Sequence, residues 1–277
     1  MFLRTIMKII AEIGWNHMGD MSLAEDMIEA ASNSGANVVK FQYWNPKYLK
    51  KGAWDSDGRR EIYNKAALNE EKILDLINLS SKHGCEFLIS VFGTAGASLM
   101  HELQLSEIKI PSHETTNYKL LEFCSKKFSK IYFSAGASTE KEVKKALEIL
   151  NAGSAKYNLM HCVSSYPCPN NQINLPRLEW LSSISKDIGF SDHTKSTIIP
   201  ALSVAYGVTA IEKHFTTDNN LPGRDNENAL EPTEFKLMVK NILEAQQSMI
   251  SCGNDYQDIE SDTVQNYRGR WEPHDYE

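Results

Sequence analysis

Short β-branched or apolar runs alternate with segments of helical period eight times along the chain. Each run is followed by a polar terminus and then by an amphipathic stretch, which is typical of repeated βα units. The runs cover residues 9–14, 38–42, 86–91, 107–112, 131–136, 157–164, 188–193 and 210–215. Eight such units close a parallel sheet on itself, so the alternation predicts a (β/α)8 TIM barrel.

The segments between the runs carry helix signals. Thr139 is placed as an N-cap of the segment 139–151, and Glu142 follows three residues later as the second half of a capping box. The alternative fold is a doubly wound open sheet, which usually has a glycine-rich turn after its first strand. The turn at residues 14–20 reads Gly-Trp-Asn-His-Met-Gly-Asp and lacks the dinucleotide-binding spacing, which favours the barrel.

Two regions interrupt the repeat. The long connection over residues 43–69 includes Arg59 and Arg60. Long loops at the C-terminal rim of a barrel form lids or substrate walls. An exposed surface loop without a role in the site explains the length equally well. Residues 254–277 are polar and aperiodic. We therefore expect one catalytic barrel domain over residues 1–253 and a linker or docking tail over residues 254–277.

Composition excludes several classes of protein. A net charge of -7 argues against a nucleic-acid partner. The longest apolar stretch, residues 198–211, is shorter than the ~20 residues that span a bilayer, so no membrane segment is predicted. The start lacks a signal peptide, and Met1 and Met7 are both plausible initiators. Five cysteines without a C-x-x-C pair suit a reducing compartment, and we expect a cytoplasmic protein.

The C-terminal ends of the predicted strands are rich in polar side chains. In a barrel these ends carry the chemistry. Period-two alternation places three pairs on common strand faces: Lys40 with Gln42, Ser191 with His193, and Glu212 with His214. Those faces can point at one centre.

His193 and His214 lie at the ends of the last two strands. Two imidazoles on neighbouring strands can bind a divalent metal and leave other coordination positions open for catalysis. Asp192 and Glu212 could bind the same metal or orient the imidazoles. The alternative is that both histidines are structural and hydrogen-bonded within the barrel.

A second group consists of cations and hydroxyls without matching acids at the same strand ends: Lys40, Lys109, Ser112, Ser134 and Ser191. Such a group suits an anion such as phosphate or carboxylate. Both lysines lie inside apolar runs, where an idle charge is costly to bury. A solvated surface lysine is the simpler alternative, and either lysine could instead form a Schiff base with a carbonyl substrate.

Taken together, the motifs resemble the sialic acid synthase family from residue 9 to about residue 241. The matching segments are Ala-Glu-Ile-Gly at 11–14 with Asn-His at 16–17, Val-Lys-Phe-Gln at 39–42, Lys-Ile-Pro-Ser at 109–112 with Glu114, His-Cys at 161–162 with Tyr-Pro at 166–167, Ser-Asp-His-Thr at 191–194, Glu-Lys-His-Phe-Thr at 212–216, and Leu-Pro-Gly at 221–223 with Asp225 and Leu-Glu-Pro at 230–232. Their joint order is specific, whereas each alone would not be.

The resemblance implies a (β/α)8 barrel that condenses phosphoenolpyruvate with an open-chain N-acetylated amino sugar, giving a nonulosonic 2-keto acid and phosphate. It implies a divalent metal on His193 and His214, typically Mn²⁺, with Mg²⁺ or Co²⁺ as alternatives. Phosphoenolpyruvate would bind the lysine and serine group. The catalytic set would be Glu12, Lys40, Lys109 and Asp192, and the sugar side would be formed by Gln42, Glu114, Ser164, Tyr166 and Asp225.

The sequence also departs from the family pattern. His113 replaces a common glycine, Ser164 replaces an asparagine, and Ala135 replaces a threonine beside the expected phosphate. Family members append an antifreeze-like domain that reaches over the partner subunit and gives an arginine to the sugar, whereas this sequence stops at Glu277. A separate cap protein, compensating arginines such as Arg59, Arg60 and Arg224, or a different sugar would each explain this, and a homodimer stays open.

Two other functions fit the same residues. A Schiff-base aldolase or lyase would need no metal and would trap a pyruvate-type substrate on Lys40 or Lys109. A non-catalytic binding barrel is the third reading, but retention of both histidines and both strand lysines argues against it.

Overall fold

The barrel predicted from the alternation is present. The computed structural model describes residues 7–271, and within them eight parallel strands close into a ring in sequence order, with the first strand paired to the last. The strands are β1 Lys8–Gly14, β2 Val38–Tyr43, β3 Glu86–Val91, β4 Glu107–Ile110, β5 Lys130–Ser134, β6 Lys156–Cys162, β7 Ile188–Asp192 and β8 Ala210–His214. Closure leaves the sheet without a free edge.

Helices lie around the outside, between successive strands and after the last one. They are α1 Met21–Asn33, α2 Arg59–Lys65, α3 Glu70–Lys82, α4 Thr94–Glu102, α5 Tyr118–Lys127, α6 Glu140–Asn151, α7 Arg177–Ile184, α8 Ile199–Ser203 and α9 Pro232–Ser248. The capping box of α6 is confirmed, since Glu142 N donates to Thr139 Oγ1 at 3.3 Å and Thr139 N donates to Glu142 Oε2 at 2.8 Å. The short helix α2 is an addition within the long β2–α3 connection.

Alternation along the strands divides the core into two layers. The barrel interior holds a small buried cluster: Ile10, Val38, Leu88, Tyr132, Met160 and Ala210. The opposite strand faces pack against the helices, as Val39 and Phe41 do within the larger core cluster. Both faces are buried, as expected for an all-parallel sheet. Lys40, two residues beyond Val38, therefore lies on the interior face near the strand ends.

Several strands end earlier than the sequence predicted. β4 stops at Ile110 and β6 at Cys162, whereas the apolar runs continue to residues 112 and 164. Pro111 has no amide hydrogen for the neighbouring strand, and residues 112–114 turn in a helical conformation. Ser112 and Ser164 therefore lie in the loops at the rim.

The long connection over residues 43–69 folds back onto this rim. Trp44 and Tyr63 pack against Trp15 with ring centroids 5.7 and 5.0 Å away, and Trp44 Nε1 donates to the Tyr63 carbonyl at 2.9 Å. Arg224, in the loop after β8, lies 3.4 Å from Asp57. These contacts indicate that the connection over residues 43–69 forms a wall of the barrel mouth and is not simply an exposed surface loop.

The part of the chain after α9 lies largely on the surface. Residues 254–271 are mostly exposed and form short helical turns at Asp258–Glu260 and Thr263–Tyr267. The domain boundary at residue 253 stays a prediction, and the initiator Met1 and the end of the tail, residues 272–277, lie outside the described residues. No helix among residues 7–271 is long and apolar enough to cross a membrane. All five cysteines are free thiols.

Candidate active site

A cavity of about 60 Å³ opens at the C-terminal ends of the strands. It gathers most of the predicted site residues: Glu12, Lys40, Gln42, Lys109, Ser112, Ser134, Tyr166, Ser191, His193 and His214. Register explains the convergence. Glu12 is paired with Lys40 on one side and with His214 on the other, and Ser191 is paired with Glu212.

Asp192 is turned away from this cavity. Its Oδ2 lies 2.6 Å from Lys213 Nζ and accepts a hydrogen bond from Thr194 Oγ1 at 2.9 Å. Because Ser191 in β7 and His193 directly after it both face the cavity, the residue between them faces the helices. The structure therefore does not bring Asp192 to the catalytic or metal-binding position assigned to it from the sequence.

Three further predicted residues lie at the margin. Glu114 accepts from Asn117 Nδ2 at 2.6 Å, and Asp225 Oδ2 lies 3.7 Å from His214 Nδ1. Ser164 borders Ser112, because a Cβ built on Gly136 would meet the Oγ atoms of both serines at 2.7 Å. Ser112 itself accepts from Gly136 N at 3.0 Å.

The two lysines belong to a buried charge network. Lys40 Nζ lies 2.6 Å from Glu12 Oε2 and 3.7 Å from Glu212 Oε1. Lys109 Nζ lies 2.7 Å from Glu212 Oε2. The expectation that these cations have no matching acids was wrong. Glu212 lies two residues before His214 on the same inward face. The sequence predicts it as a metal ligand or as a group that orients the imidazoles, whereas in the structure it is the acid that both lysines share.

Neutral groups fix the orientation of the two carboxylates. Gln42 Nε2 donates to Glu12 Oε1 at 2.6 Å, and Ser191 Oγ donates to Glu212 Oε1 at 3.0 Å. Lys40 also donates to Ser90 Oγ at 2.9 Å. Ser134 Oγ is buried and has no hydrogen-bond partner. A buried hydroxyl without a partner is costly unless a ligand or water supplies one.

The network shifts the pKa values of the two glutamates, Glu12 and Glu212, in opposite directions. Burial raises the pKa of Glu12 to about 7, although Lys40 opposes the rise. Burial alone would also raise the pKa of Glu212, but Lys109 and Lys40 outweigh it and hold that pKa well below its usual range. Glu212 is thus the permanent anion of the network and Glu12 the group that can exchange a proton near neutrality.

His193 and His214 lie beside each other with ring centroids 5.4 Å apart. His193 Nδ1 is 2.7 Å from the Val163 carbonyl, so Nδ1 carries a proton, and in the neutral ring Nε2 keeps a lone pair. His214 Nδ1 is buried without a hydrogen-bond partner. The Tyr166 ring covers the pair, 4.0 Å from the His193 ring.

These features fit a divalent metal with two imidazole ligands. A buried, unsatisfied ring nitrogen and a second ring whose proton is fixed on the far side are what such a pair requires. Burial, together with His193 and Lys40, holds the pKa of His214 well below its usual value, so its ring is neutral. Among residues 7–271, no group of three or more His, Cys, Asp or Glu side chains is arranged to hold a metal, so other ligands would have to complete the coordination.

The cavity also contains residues to which the sequence analysis gave no role in the site: Ser90, Phe92, Pro111, His113 and Cys162. The two-residue alternation along the strands predicts that two of them face the interior. Ser90 follows the interior residue Leu88 by two positions, and Cys162 follows Met160 in the same way. His161, on the opposite parity, instead hydrogen-bonds the Ile173 carbonyl at 2.7 Å.

The arginines considered as substitutes for a partner's arginine do not line the cavity. Arg59 lies 2.6 Å from Asp57, and Arg60 contacts Asp55. Arg224 reaches the same Asp57 at 3.4 Å. All three take part in holding the long connection.

Comparisons with known proteins agree with this geometry. The model of the NeuB family matches residues 27–253. N,N'-diacetyllegionaminic acid synthase of Campylobacter jejuni is 37% identical over 256 residues, covering 87% of this chain and 77% of the relative. The synthase of the same name from Legionella pneumophila is 34% identical, covering 86% of this chain and 72% of that protein.

A solved structure with a related sequence has the same fold. The crystal structure of N-acetylneuraminic acid synthetase from Leptospira borgpetersenii, in complex with citrate, matches with a TM-score of 0.86 at 30% identity. The match covers 94% of this chain and 90% of that one. Family match, sequence identity and superposition together show that this chain belongs to the NeuB family.

Proposed function

We propose that the chain condenses phosphoenolpyruvate with an open-chain N-acetylated amino sugar, forming a nonulosonic 2-keto acid and phosphate. The observation that carries the proposal is the sharing of one cavity by two buried lysines, the serine hydroxyls and the histidine pair. The relatives named as nonulosonic acid synthases support the same reaction.

The anionic substrate is assigned to the lysine side of the cavity. Each ammonium has three donors, so Lys109 can retain Glu212 and still donate to a phosphate or carboxylate oxygen. Ser112, Ser134 and Ser191 add hydroxyls, of which Ser134 has no partner in the described structure. Charge-assisted bonds of this kind fix the orientation of the anion.

The sugar aldehyde is assigned to the histidine side. His193 and His214 would hold the metal, for which Mn²⁺ is proposed and Mg²⁺ or Co²⁺ are alternatives. When bound, such an ion supplies Lewis-acid polarisation of the aldehyde oxygen. Gln42, Tyr166 and Asp225 border this side, and Glu114 and Ser164 lie at its margin.

The proposed reaction balances without an external oxidant or reductant. The C2–C3 π electrons of phosphoenolpyruvate form a bond from C3 to the aldehyde carbon, whose oxygen takes up a proton. Water adds to the cationic C2, the bond from C2 to the bridging oxygen breaks, and phosphate leaves. Glu12, with a pKa of about 7, would exchange the protons of these steps. Lys40 and Lys109 stabilise the negative charge on the departing phosphate.

The Schiff-base alternative has one observation in its favour, which is that burial lowers the pKa of Lys109. The ion pair with Glu212 opposes it, because the carboxylate favours the protonated amine, which is not nucleophilic. Borohydride reduction in the presence of pyruvate separates the two mechanisms. A stable adduct on Lys40 or Lys109 would support the aldolase mechanism.

The direct test is an assay of the purified chain with phosphoenolpyruvate, Mn²⁺ and a panel of N-acetylated amino sugars. The proposal predicts acceptor-dependent release of phosphate together with a 2-keto acid. Phosphate release that does not depend on any acceptor, or no consumption of phosphoenolpyruvate, would contradict it.

A further inference from the structure

A second pocket of about 270 Å³ lies beside the central cavity at the same rim of the barrel. We call it the side pocket. Its walls come from the end of β2 and the start of α4, and its main lining residues are Tyr43, Trp44, Asn45, Tyr48, Phe92 and Ala95. Tyr43 lies on the first turn of α4 because Gly96 makes room there, since a Cβ on Gly96 would meet Tyr43 Cδ1 at 3.0 Å.

Phe92 lines both the side pocket and the central cavity. Gln42, one residue before Tyr43, lines the central cavity. His113, also in the central cavity, has its ring centroid 6.4 Å from that of Phe92. The two spaces are therefore neighbours across one phenylalanine ring, and a molecule that enters one reaches the border of the other.

The volumes favour the side pocket for the bulkier part of the acceptor. Measured in the same way, the central cavity is about 60 Å³ and the side pocket about 270 Å³. In the proposed reaction the central cavity already takes the anion and the aldehyde, so the side pocket is the neighbouring space with room for a further substituent.

The lining specifies the chemical class of that part. The residues that line the side pocket include no Lys, Arg, Asp or Glu, so it offers no counter-charge to a phosphate or a carboxylate. Aromatic faces suit methyl and C–H groups. Asn45 Oδ1 accepts from Lys47 N at 3.0 Å, which leaves the Asn45 amide nitrogen as a donor toward a carbonyl. A neutral acylamido group, with a carbonyl and a methyl, matches both features.

We propose that the side pocket binds an acylamido substituent of the acceptor sugar that is remote from the reacting aldehyde. This inference rests on the proposed function and deepens it. It assigns discrimination among acceptors to Tyr43, Asn45, Tyr48 and Phe92, which sit outside the histidine and lysine groups.

The test fills the side pocket and compares two acceptors. Ala95 is exposed on α4, so Ala95→Phe should fold and place a ring in the pocket. The matched control is Glu102→Phe, an exposed position on the same helix about 10 Å further along. The acceptors are N-acetylmannosamine, with one acetamido group, and a 2,4-diacetamido hexose, with a second one remote from the aldehyde.

Ala95→Phe should raise the KM of the diacetamido acceptor at least tenfold while the KM values of N-acetylmannosamine and phosphoenolpyruvate change less than twofold. Tyr48→Ala, which removes the ring of a residue that is 72% exposed, should raise the same KM by a smaller factor. Glu102→Phe should match the parent. Equal effects of Ala95→Phe on both acceptors, no effect on either, or an equal effect of Glu102→Phe would overturn the inference while leaving the proposed function intact. A parent chain that condenses no N-acetylated amino sugar would contradict the proposed function itself and the inference with it.

Discussion

Lys109 Nζ lies 2.7 Å from Glu212 Oε2, and the two side chains are only 2% and 7% exposed. A buried ion pair at the centre of the cavity means that an anion reaching Lys109 meets a carboxylate already bound there. The attraction of Glu212 offsets part of the cost of burying the Lys109 charge.

Removing one partner of this pair should destabilise the fold. Lys109→Met is expected to lower the free energy of unfolding by about 3–5 kcal/mol, because Glu212 loses its nearest cation. The double variant Lys109→Met with Glu212→Leu should recover most of the loss. Lys126→Met, which breaks the exposed pair with Glu122, should cost less than about 1 kcal/mol. Denaturant unfolding measures all three, and a double variant no more stable than the single one would argue against the pair.

Glu12 should make the stability of the protein depend on pH. Its pKa is raised by burial from 4.5 to about 7, so the folded state binds a proton that the unfolded chain has already released. The contribution of this group is fully present below pH 4.5 and is lost as the pH rises through about 7. Glu12→Gln should flatten the unfolding free energy across this interval. An unchanged slope in the variant would show that Glu12 is not the group responsible.

Gly136 should be needed to keep Ser112 in place. An added Cβ would meet the Oγ atoms of Ser112 and Ser164 at 2.7 Å, so Gly136→Ala must displace hydroxyls on the proposed phosphate side. We expect the KM for phosphoenolpyruvate to rise about tenfold, which corresponds to roughly 1.4 kcal/mol of binding. Circular dichroism checks the fold. A folded variant with an unchanged KM would mean that Ser112 does not contact the anion.

The histidine pair can be tested by metal binding alone. His193→Ala or His214→Ala should weaken Mn²⁺ binding by more than the roughly 10- to 100-fold that follows loss of an outer contact. His101→Ala, an exposed residue on α4, serves as the control. Titration followed by electron paramagnetic resonance gives the affinities. If both variants bound Mn²⁺ as tightly as the parent, the histidine pair would not be the metal site.

Periodicity was enough to predict the barrel, because eight apolar runs separated by amphipathic segments leave few other closed arrangements. Strand parity likewise predicted that Lys40, Ser191 and His214 would face one centre, and all three line the cavity. Asp192 is the exception: it belongs to a motif of the family, but the two-residue alternation along β7 turns it outward, toward Lys213.

Other features depend on tertiary contacts that the sequence does not state. The sharing of Glu212 by two lysines requires the register of strands that are distant in sequence. The side pocket is formed where Tyr43 packs over Gly96, a contact between a strand end and a helix that no motif marks. Loop packing of this kind is decided by side-chain shape, for which hydrophobic patterning gives no signal.

The central claim is that phosphoenolpyruvate reacts at carbon and releases phosphate by cleavage of its C–O bond. Phosphoenolpyruvate carrying a heavy-oxygen label at the bridging position, incubated with the chain, Mn²⁺ and an N-acetylated amino sugar, tests it by mass spectrometry of the products. The account predicts that the label appears in inorganic phosphate and that the keto oxygen comes from water. Label retained in the keto acid would show P–O cleavage and contradict the account.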